Sequence, residues 1–358
     1  MANNIGWGVG TQNNTNGWGK FQNTIGAASV YAVSYAGETV IEGTSAAFSY
    51  SASSFHQGEA DPTPTITGTT GGTFNADAGL VFVDTGTHNS STGQIDLSAS
   101  TIDSHIITYT VGGVQSGQTI AVTASPFVDN NFSMEFDGVN DKITATGVTM
   151  LNGLNTVSFS LWVKAANGAQ ADSFACILGI EDSTTSLAQI VLSQANTANN
   201  FNFFVRTASG YGTPATTGVG FLNGDWRHIA GTYDGTNLKL YVDGSEVSSV
   251  SRTGNLISAT GELALGAFFT SNYFDGKIDE VAIWNTALSS DAVTEIYNIR
   301  GSGRAANMNN LTYESTDPVL WYRMGDGDTF PTVTDNGSGS NNGTMTNMAS
   351  GDIVNDTF

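Results

Sequence analysis

At 358 residues the chain is long enough to bury two ordinary hydrophobic cores, and a single fold is the less economical reading. Eleven Lys and Arg stand against 32 Asp and Glu, a formal net charge of −21, which repels phosphate backbones and anionic lipid and so makes nucleic acid and membrane surfaces poor partners, with neither nucleic-acid binding nor membrane insertion expected. Only 12% of the residues are charged, while glycine reaches 43, a mixture that suits short strands joined by tight turns.

Residues 1–37 differ from the rest. Asn3-Asn4-Ile5-Gly6-Trp7-Gly8 recurs as Asn13-Asn14-Thr15-Asn16-Gly17-Trp18-Gly19 and fades at Gln22-Asn23-Thr24-Ile25-Gly26. Such a segment has too little apolar surface to fold alone, and a disordered leader is one reading of it. Each repeat nevertheless presents one tryptophan, Trp7 or Trp18, on a glycine-rich backbone, which makes both candidate anchors for a partner pocket. Met1 to Lys20 has neither the basic start nor the apolar core of a secretion signal, and no apolar run approaches the ~20 residues needed to span a bilayer.

Residues 38–126 alternate with a period of two. Ile107, Tyr109 and Val111 face one way, Thr108 and Thr110 the other, and Ile120 and Val122 repeat the pattern beyond the turn Val111-Gly112-Gly113. Ala47 to Ser51, Gly79 to Val83 and Gln94 to Leu97 are predicted as further short strands, giving a small antiparallel sandwich. Ser125-Pro126 to Asn131 reads as a linker.

Beyond the linker, Val157, Phe159, Leu161 and Val163 alternate with Ser158, Ser160, Trp162 and Lys164, the pattern of a strand packed on both faces. Cys176, the single cysteine, sits in the apolar run Phe174-Ala175-Cys176-Ile177-Leu178 and reads as a small buried hydrophobe. With no partner for a disulfide within the chain, assembly in a reducing cytoplasm is expected. The pairs Asp137-Gly138, Asp234-Gly235, Asp243-Gly244 and Asp275-Gly276 are predicted as tight turns. Leu238, Leu240 and Val242 lie between two of them, completing a hairpin from Trp226 to Val247. Ser289-Ser290 can cap a short helix carrying Val293, Ile296 and Tyr297 on one side.

Two family resemblances rest on these segments. Gly71-Gly72-Thr73-Phe74, Ser91 to Ser98 and Thr108-Tyr109-Thr110-Val111 resemble bacterial and phage immunoglobulin-like repeats. Four segments in order resemble the laminin G-like, concanavalin A-like jelly roll over residues 132–300: Met134 to Asp141, Phe159 to Lys164, Trp226 to Gly235 with Leu240 to Gly244, and Phe274 to Trp284. The resemblance implies an all-β chain, an immunoglobulin-like sandwich followed by a laminin G-like jelly roll. Residues 301–358 depart from it, because Leu320 to Gly325 and Asp335 to Thr344 resemble the opening of such a domain placed after its close. They are expected to return to the same sandwich as extra edge strands or to donate strands to a neighbouring subunit.

The Asn-Asn-Ile-Gly-Trp-Gly opening, joined to these two units, is similar in layout to structural proteins of marine tailed phages. That similarity implies a virion protein (capsid decoration, head fibre or tail fibre) assembled in the host cytoplasm and bound to capsid or tail proteins through residues 1–37. Its lectin-like domain would face outward toward a host-surface glycan. Fibre architecture implies a homo-oligomer such as a trimer. A freestanding carbohydrate-binding adhesin is the alternative, and a polysaccharide-degrading enzyme a third reading.

The enzyme reading is disfavoured. Concanavalin A-like glucanases set alternating acids along one strand, whereas the nearest approach, Glu59-Ala60-Asp61, runs into Pro62-Thr63-Pro64 and lacks its third acid. Asp279 and Glu280, being adjacent, are expected on opposite faces of a strand and so apart. His56, His88, His105 and His228 are scattered without metal-ligand spacing. No cofactor is required by this reading. Calcium is the candidate ion, since some laminin G-like and pentraxin-like sandwiches bind it and Asp137, Asn140, Asp141 and Asp279 occupy motif positions that could converge. Turn and backbone bonding is the competing role for these residues. Tyr211 in Ser209-Gly210-Tyr211-Gly212, and Phe269 with Tyr273 ahead of Phe274, are the candidate platforms for stacking on a sugar.

Overall fold

A computed structural model describes residues 23–24, 29–30, 43–166, 174–182, 184–185, 187–195, 200–217 and 223–358. Trp7 and Trp18 lie outside the described residues. The chain divides into two compact units, Met1–Ser125 and Pro126–Phe358.

The first unit is built on a five-stranded sheet. Its strands are β1 (Ser54–His56), β2 (Thr73–Ala76), β3 (Asn89–Ser90), β4 (Asp103–Val111) and β5 (Val114–Thr123), in the order β1-β5-β4-β2-β3, with a separate ladder pairing Phe48–Ser49 and Thr65–Ile66. The β4–β5 hairpin closes at Gly112 and Gly113, both at positive φ (56° and 80°), the backbone a two-residue hairpin turn demands. Phe48, Phe74, Phe82 and Tyr109 fill the core. The strands predicted at Gly79 to Val83 and Gln94 to Leu97 do not form. Those segments touch through isolated bridges at Phe82 and Ile95 while burying Leu80, Phe82, Ile95 and Leu97 completely. Their alternation therefore reported burial of every second residue rather than a ladder.

The second unit is a sandwich of two sheets, each of eight strands among the described residues. Its strands are β6 (Ser133–Asp137), β7 (Lys142–Ala145), β8 (Val157–Ala165), β9 (Cys176–Asp182), β10 (Leu187–Ala195), β11 (Asn200–Val205), β12 (Ala215–Thr216), β13 (Arg227–Tyr233), β14 (Asn237–Val242), β15 (Ser245–Ser251), β16 (Glu262–Leu265), β17 (Asp275–Trp284), β18 (Leu320–Tyr322), β19 (Thr332–Val333), β20 (Gly343–Thr346) and β21 (Ile353–Val354). The back sheet runs β15-β14-β13-β8-β17-β6-β21 with β18 also on β17, and the front sheet runs β12-β11-β10-β9-β16-β7-β20-β19. Residues 301–358 thus return to their own sandwich and add strands to both sheets.

Between the sheets lies one core, including Phe159, Leu161, Leu192, Phe203, Ile229, Leu240 and Ile283. A helix, α1 (Ser290–Asn298), covers the outer face of the back sheet. Ser289 caps it by accepting the Ala292 N–H at 3.1 Å, and Ala292, Val293 and Ile296 pack against Ala230, Tyr241 and Trp284. Asp275-Gly276, expected as a turn, opens strand β17 instead. Gly276 is required there because a Cβ would meet the Lys164 carbonyl oxygen at 2.4 Å.

Candidate glycan-binding groove

The front sheet positions the site. On an antiparallel sandwich the outward face of a strand is ordinarily polar, but here it is not. Phe203 points into the core, so its neighbour Phe204 points out, and Phe204 pairs with Val191, which pairs in turn with Gly179. Val191 and Phe204 line a groove of about 300 Å³ together with Leu187, Cys176 and Ser193. Tyr211 walls one side and Phe268, Asn272 and the half-exposed Phe174 wall the other. Large apolar rings held open to water in a concavity are the signature of a ligand surface.

Both walls are braced. Gly210 reverses the chain at φ 89° and exchanges two backbone hydrogen bonds with Thr207, at 2.8 and 3.1 Å. The buried Arg252 donates to Thr207 Oγ1 (2.9 Å) and to the Gly210 carbonyl. Tyr211 then lies edge-on to Phe204, with ring centres 6.1 Å apart, and its hydroxyl accepts the Ala188 N–H at 2.6 Å, which fixes the ring plane. On the opposite wall, Phe268 and Phe269 pack edge to face at 4.8 Å. Glu181 accepts the Phe269 N–H at 2.7 Å while Lys142 donates to the Phe269 carbonyl at 3.0 Å. Burial, reinforced by the neighbouring charge of Glu262, pushes the Glu181 carboxyl up to about 7. Cys176 is buried at the groove floor, its thiol also pushed up by burial and by Glu181.

Of the aromatic platforms expected from sequence, Tyr211 lies in the groove. Phe269 braces the loop while its neighbour Phe268 supplies the lining ring, and Tyr273 is half-buried outside the lining. Phe204, Val191 and Phe174 were not singled out from sequence. The available signal was Phe204 itself, which breaks the polar alternation of Asn200 and Asn202.

Of the four residues considered for calcium, Asp137, Asn140 and Asp141 share one turn and Asp279 lies apart. Asp137 Oδ1 accepts the N–H groups of Val139 (2.8 Å) and Asn140 (3.2 Å), and Asp141 Oδ2 accepts the Asp137 N–H at 3.0 Å. Burial pushes Asp141 up to about 6. Asp279 lies four residues along β17 from Asp275, the residue opposite Asp137, or ~13 Å at the rise of a strand. One calcium shell containing all four does not fit this arrangement. Among the described residues no three or more His, Cys, Asp or Glu side chains are grouped to hold a metal ion.

Asp279 and Glu280 also depart from the expected alternation. The register between β8 and β17 shifts between Ser160 and Trp162, and Glu280 takes a positive φ of 47°, so at this bulge the two adjacent acids each reach a buried partner, on two different segments. Asp279 accepts from Asn130 Nδ2 at 3.1 Å; Glu280 accepts from Trp321 Nε1 at 2.6 Å and from Arg323 Nε at 3.4 Å, and Arg323 also donates to the Asp129 carbonyl. Burial pushes both carboxyls upward. His228, completely buried and bonded through Nε2 to Ser160 Oγ at 2.8 Å, is driven the other way, down to about 3, chiefly by burial, and stays neutral.

Comparison with known proteins places this geometry in a fold family. Residues 137–294 match the concanavalin A-like lectin/glucanases superfamily model, a laminin G type, and the second unit has the laminin G-like, concanavalin A-like fold. Mouse pappalysin-1 is 31% identical over 86 residues, covering 23% of this chain and 5% of that protein. Human pappalysin-1 is 25% identical over 187 residues, covering 48% of this chain and 11% of that protein. The chain therefore spans only a small part of these curated relatives. A crystal structure of a candidate carbohydrate binding protein from Bacteroides ovatus ATCC 8483 superposes with a TM-score of 0.52 at 14% identity, covering 87% of this chain and 97% of that one.

Proposed function

We propose that the protein is a non-enzymatic structural component of a bacteriophage particle, a capsid decoration, head fibre or tail fibre protein that presents a carbohydrate-binding laminin G-like domain. The aromatic groove of the front sheet carries the binding half of this reading. Tyr211, Phe204 and Phe268 offer flat apolar faces to the C–H face of a pyranose, while Ser193 and Asn272 supply polar groups to its hydroxyls. The shared fold with the Bacteroides protein supports the same class of ligand. The particle half rests on the Trp7 and Trp18 repeats, with the first unit as an immunoglobulin-like spacer.

Two assays separate the halves. A glycan array probed with the full chain and with Tyr211→Ala should show ligands that the variant loses; an array without ligands removes the binding half. Capsids and tails incubated with the full chain and with a chain lacking residues 1–37 should retain only the former. If neither binds, the freestanding adhesin replaces the virion reading.

A further inference from the structure

On the back sheet, away from the glycan groove, residues 353–358 fill a cradle that has the composition of a recognition site. The Phe358 ring stacks on Trp162 with centres 3.9 Å apart and planes 5° from parallel, and it meets the edge of Trp226 at 6.1 Å. Two residues earlier, the Asp356 carboxylate accepts from Lys164 at 3.0 Å, from Lys277 at 2.5 Å and from Trp226 Nε1 at 3.3 Å. Ser133 Oγ donates to the Asp356 carbonyl at 2.7 Å, and Ile353 and Val354 pair with Met134 and Ser133 on strand β6, which would be the edge of the sheet without them. Two of the chain's 11 basic residues thus converge on one carboxylate in a protein of net charge −21.

We propose that this cradle is a peptide-docking site that accepts the 353–358 segment of a second copy of this chain. The elements of recognition are those of strand addition: an edge strand supplies the backbone ladder, an aromatic platform reads the residue at Phe358, and a cationic fork reads the one at Asp356. Only two residues of the segment pair in the ladder, and Ala349, Ser350 and Gly351 before it are exposed, with open space around Gly351. These residues form a single 3-10 turn, Ser350–Asp352, closed by bonds between Ala349 and Asp352, and reorienting it would let the same contacts form within one chain or between two, the basis of segment exchange. This inference is independent of glycan binding.

The test uses a fluorescent peptide of residues 349–358, amidated at its end, and the full-length chain carrying Asp356→Ala and Phe358→Ala. The unlatched chain should bind the peptide at least ~10-fold more tightly than wild type does, and adding Trp162→Ala should weaken it ~10-fold. Mixed with a full-length Trp162→Ala chain, whose segment is intact and whose cradle is spoiled, the unlatched chain should form a one-to-one heterodimer by size exclusion. An unlatched chain of unchanged melting temperature that binds neither peptide nor donor overturns the proposal. Should the unlatched chain fail to fold, wild type with a protease site placed within residues 349–351 is cleaved after folding. Exchange of the released segment for labelled peptide supports docking, and absence of exchange refutes it.

Discussion

Gly231 is a position in the core where one added methyl should be costly. It lies on β13, paired with Phe159 on β8 and Leu240 on β14, beneath the edge-to-face pair of Phe159 and Phe203 at 4.9 Å. A Cβ built there falls 2.3 Å from Phe159 Cε1 and 2.7 Å from Phe203 Cδ1. Both rings are completely or almost completely buried, so neither can swing into solvent. Overpacking of this kind costs ~1–3 kcal/mol, and loss of the aromatic geometry adds ~0.5–1.5 kcal/mol. For a unit of this size that corresponds to a fall in melting temperature of roughly 3–18 °C. The assay is calorimetry of wild type, Gly231→Ala, Phe159→Leu and the double variant. Because the smaller leucine relieves the closer of the two clashes, the double variant should be more stable than the sum of the single effects by ~1 kcal/mol. An unshifted transition in Gly231→Ala, or strict additivity, would refute this account of the core.

Glu181 binds its proton more tightly folded than unfolded, from an ordinary 4.5 to about 7, so its effect on stability is most favourable below the unfolded value and is lost as pH rises through about 7. Glu181→Gln should flatten that decline, by ~3.4 kcal/mol at most, in denaturant titrations at several pH values; an unchanged slope would contradict it. His105 is tied through Nδ1 to Asp77 at 2.7 Å and through Nε2 to the Thr101 carbonyl at 2.8 Å. Burial lowers its proton affinity, but these two acceptors outweigh burial and leave it raised, while Asp77 is lowered because its bonds to His105 and to backbone N–H groups outweigh its own desolvation. The pair is therefore strongest between the unfolded values of the acid and the imidazole. His105→Gln should be most destabilising near pH ~5, with the deficit narrowing as pH rises through the His105 titration; a deficit independent of pH would exclude the ion pair. Cys176, buried with its thiol pushed up, should resist a thiol reagent in the native state and react only on unfolding. Prompt labelling of the folded protein would show the groove floor to be open.

Where one face of an element was apolar and its ends carried turn chemistry, sequence and structure agree. The doubly packed strand at Val157–Ala165, the hairpin punctuated by Asp234-Gly235 and Asp243-Gly244, and the helix capped by Ser289 are all of this kind. Three features were hidden because they depend on non-local contacts. Gly276 lies in a strand because the Lys164 backbone crosses against it, and Asp279 and Glu280 meet Asn130 and Trp321, respectively, through a bulge whose register is set by β8. Leu80, Phe82, Ile95 and Leu97 satisfy a core without completing a ladder. The groove was half legible. Tyr211 stood out as an aromatic in a glycine loop, whereas Phe204 could be assigned outward only once Phe203 was known to face the core. The place of residues 353–358 depended on partners more than 70 residues away, Lys277 among them at a separation of 79 from Asp356.

The most direct test of the central claim is to fill the groove without disturbing the sheet. Gly179 pairs with the groove residue Val191, and a Cβ added there meets Glu181 Oε1 and Cys176 Sγ only at 3.5 and 3.6 Å, ordinary contact distances, so a side chain can start from this position without a clash and Gly179→Leu is expected to extend beside Val191 into the groove. Calorimetric titration of wild type and Gly179→Leu with a panel of hexose and hexosamine oligosaccharides should give saturable binding to wild type and at least a ~10-fold loss in the variant at unchanged melting temperature. Equal affinities for both proteins, or no saturable binding to wild type, would contradict the assignment of the groove as the glycan site.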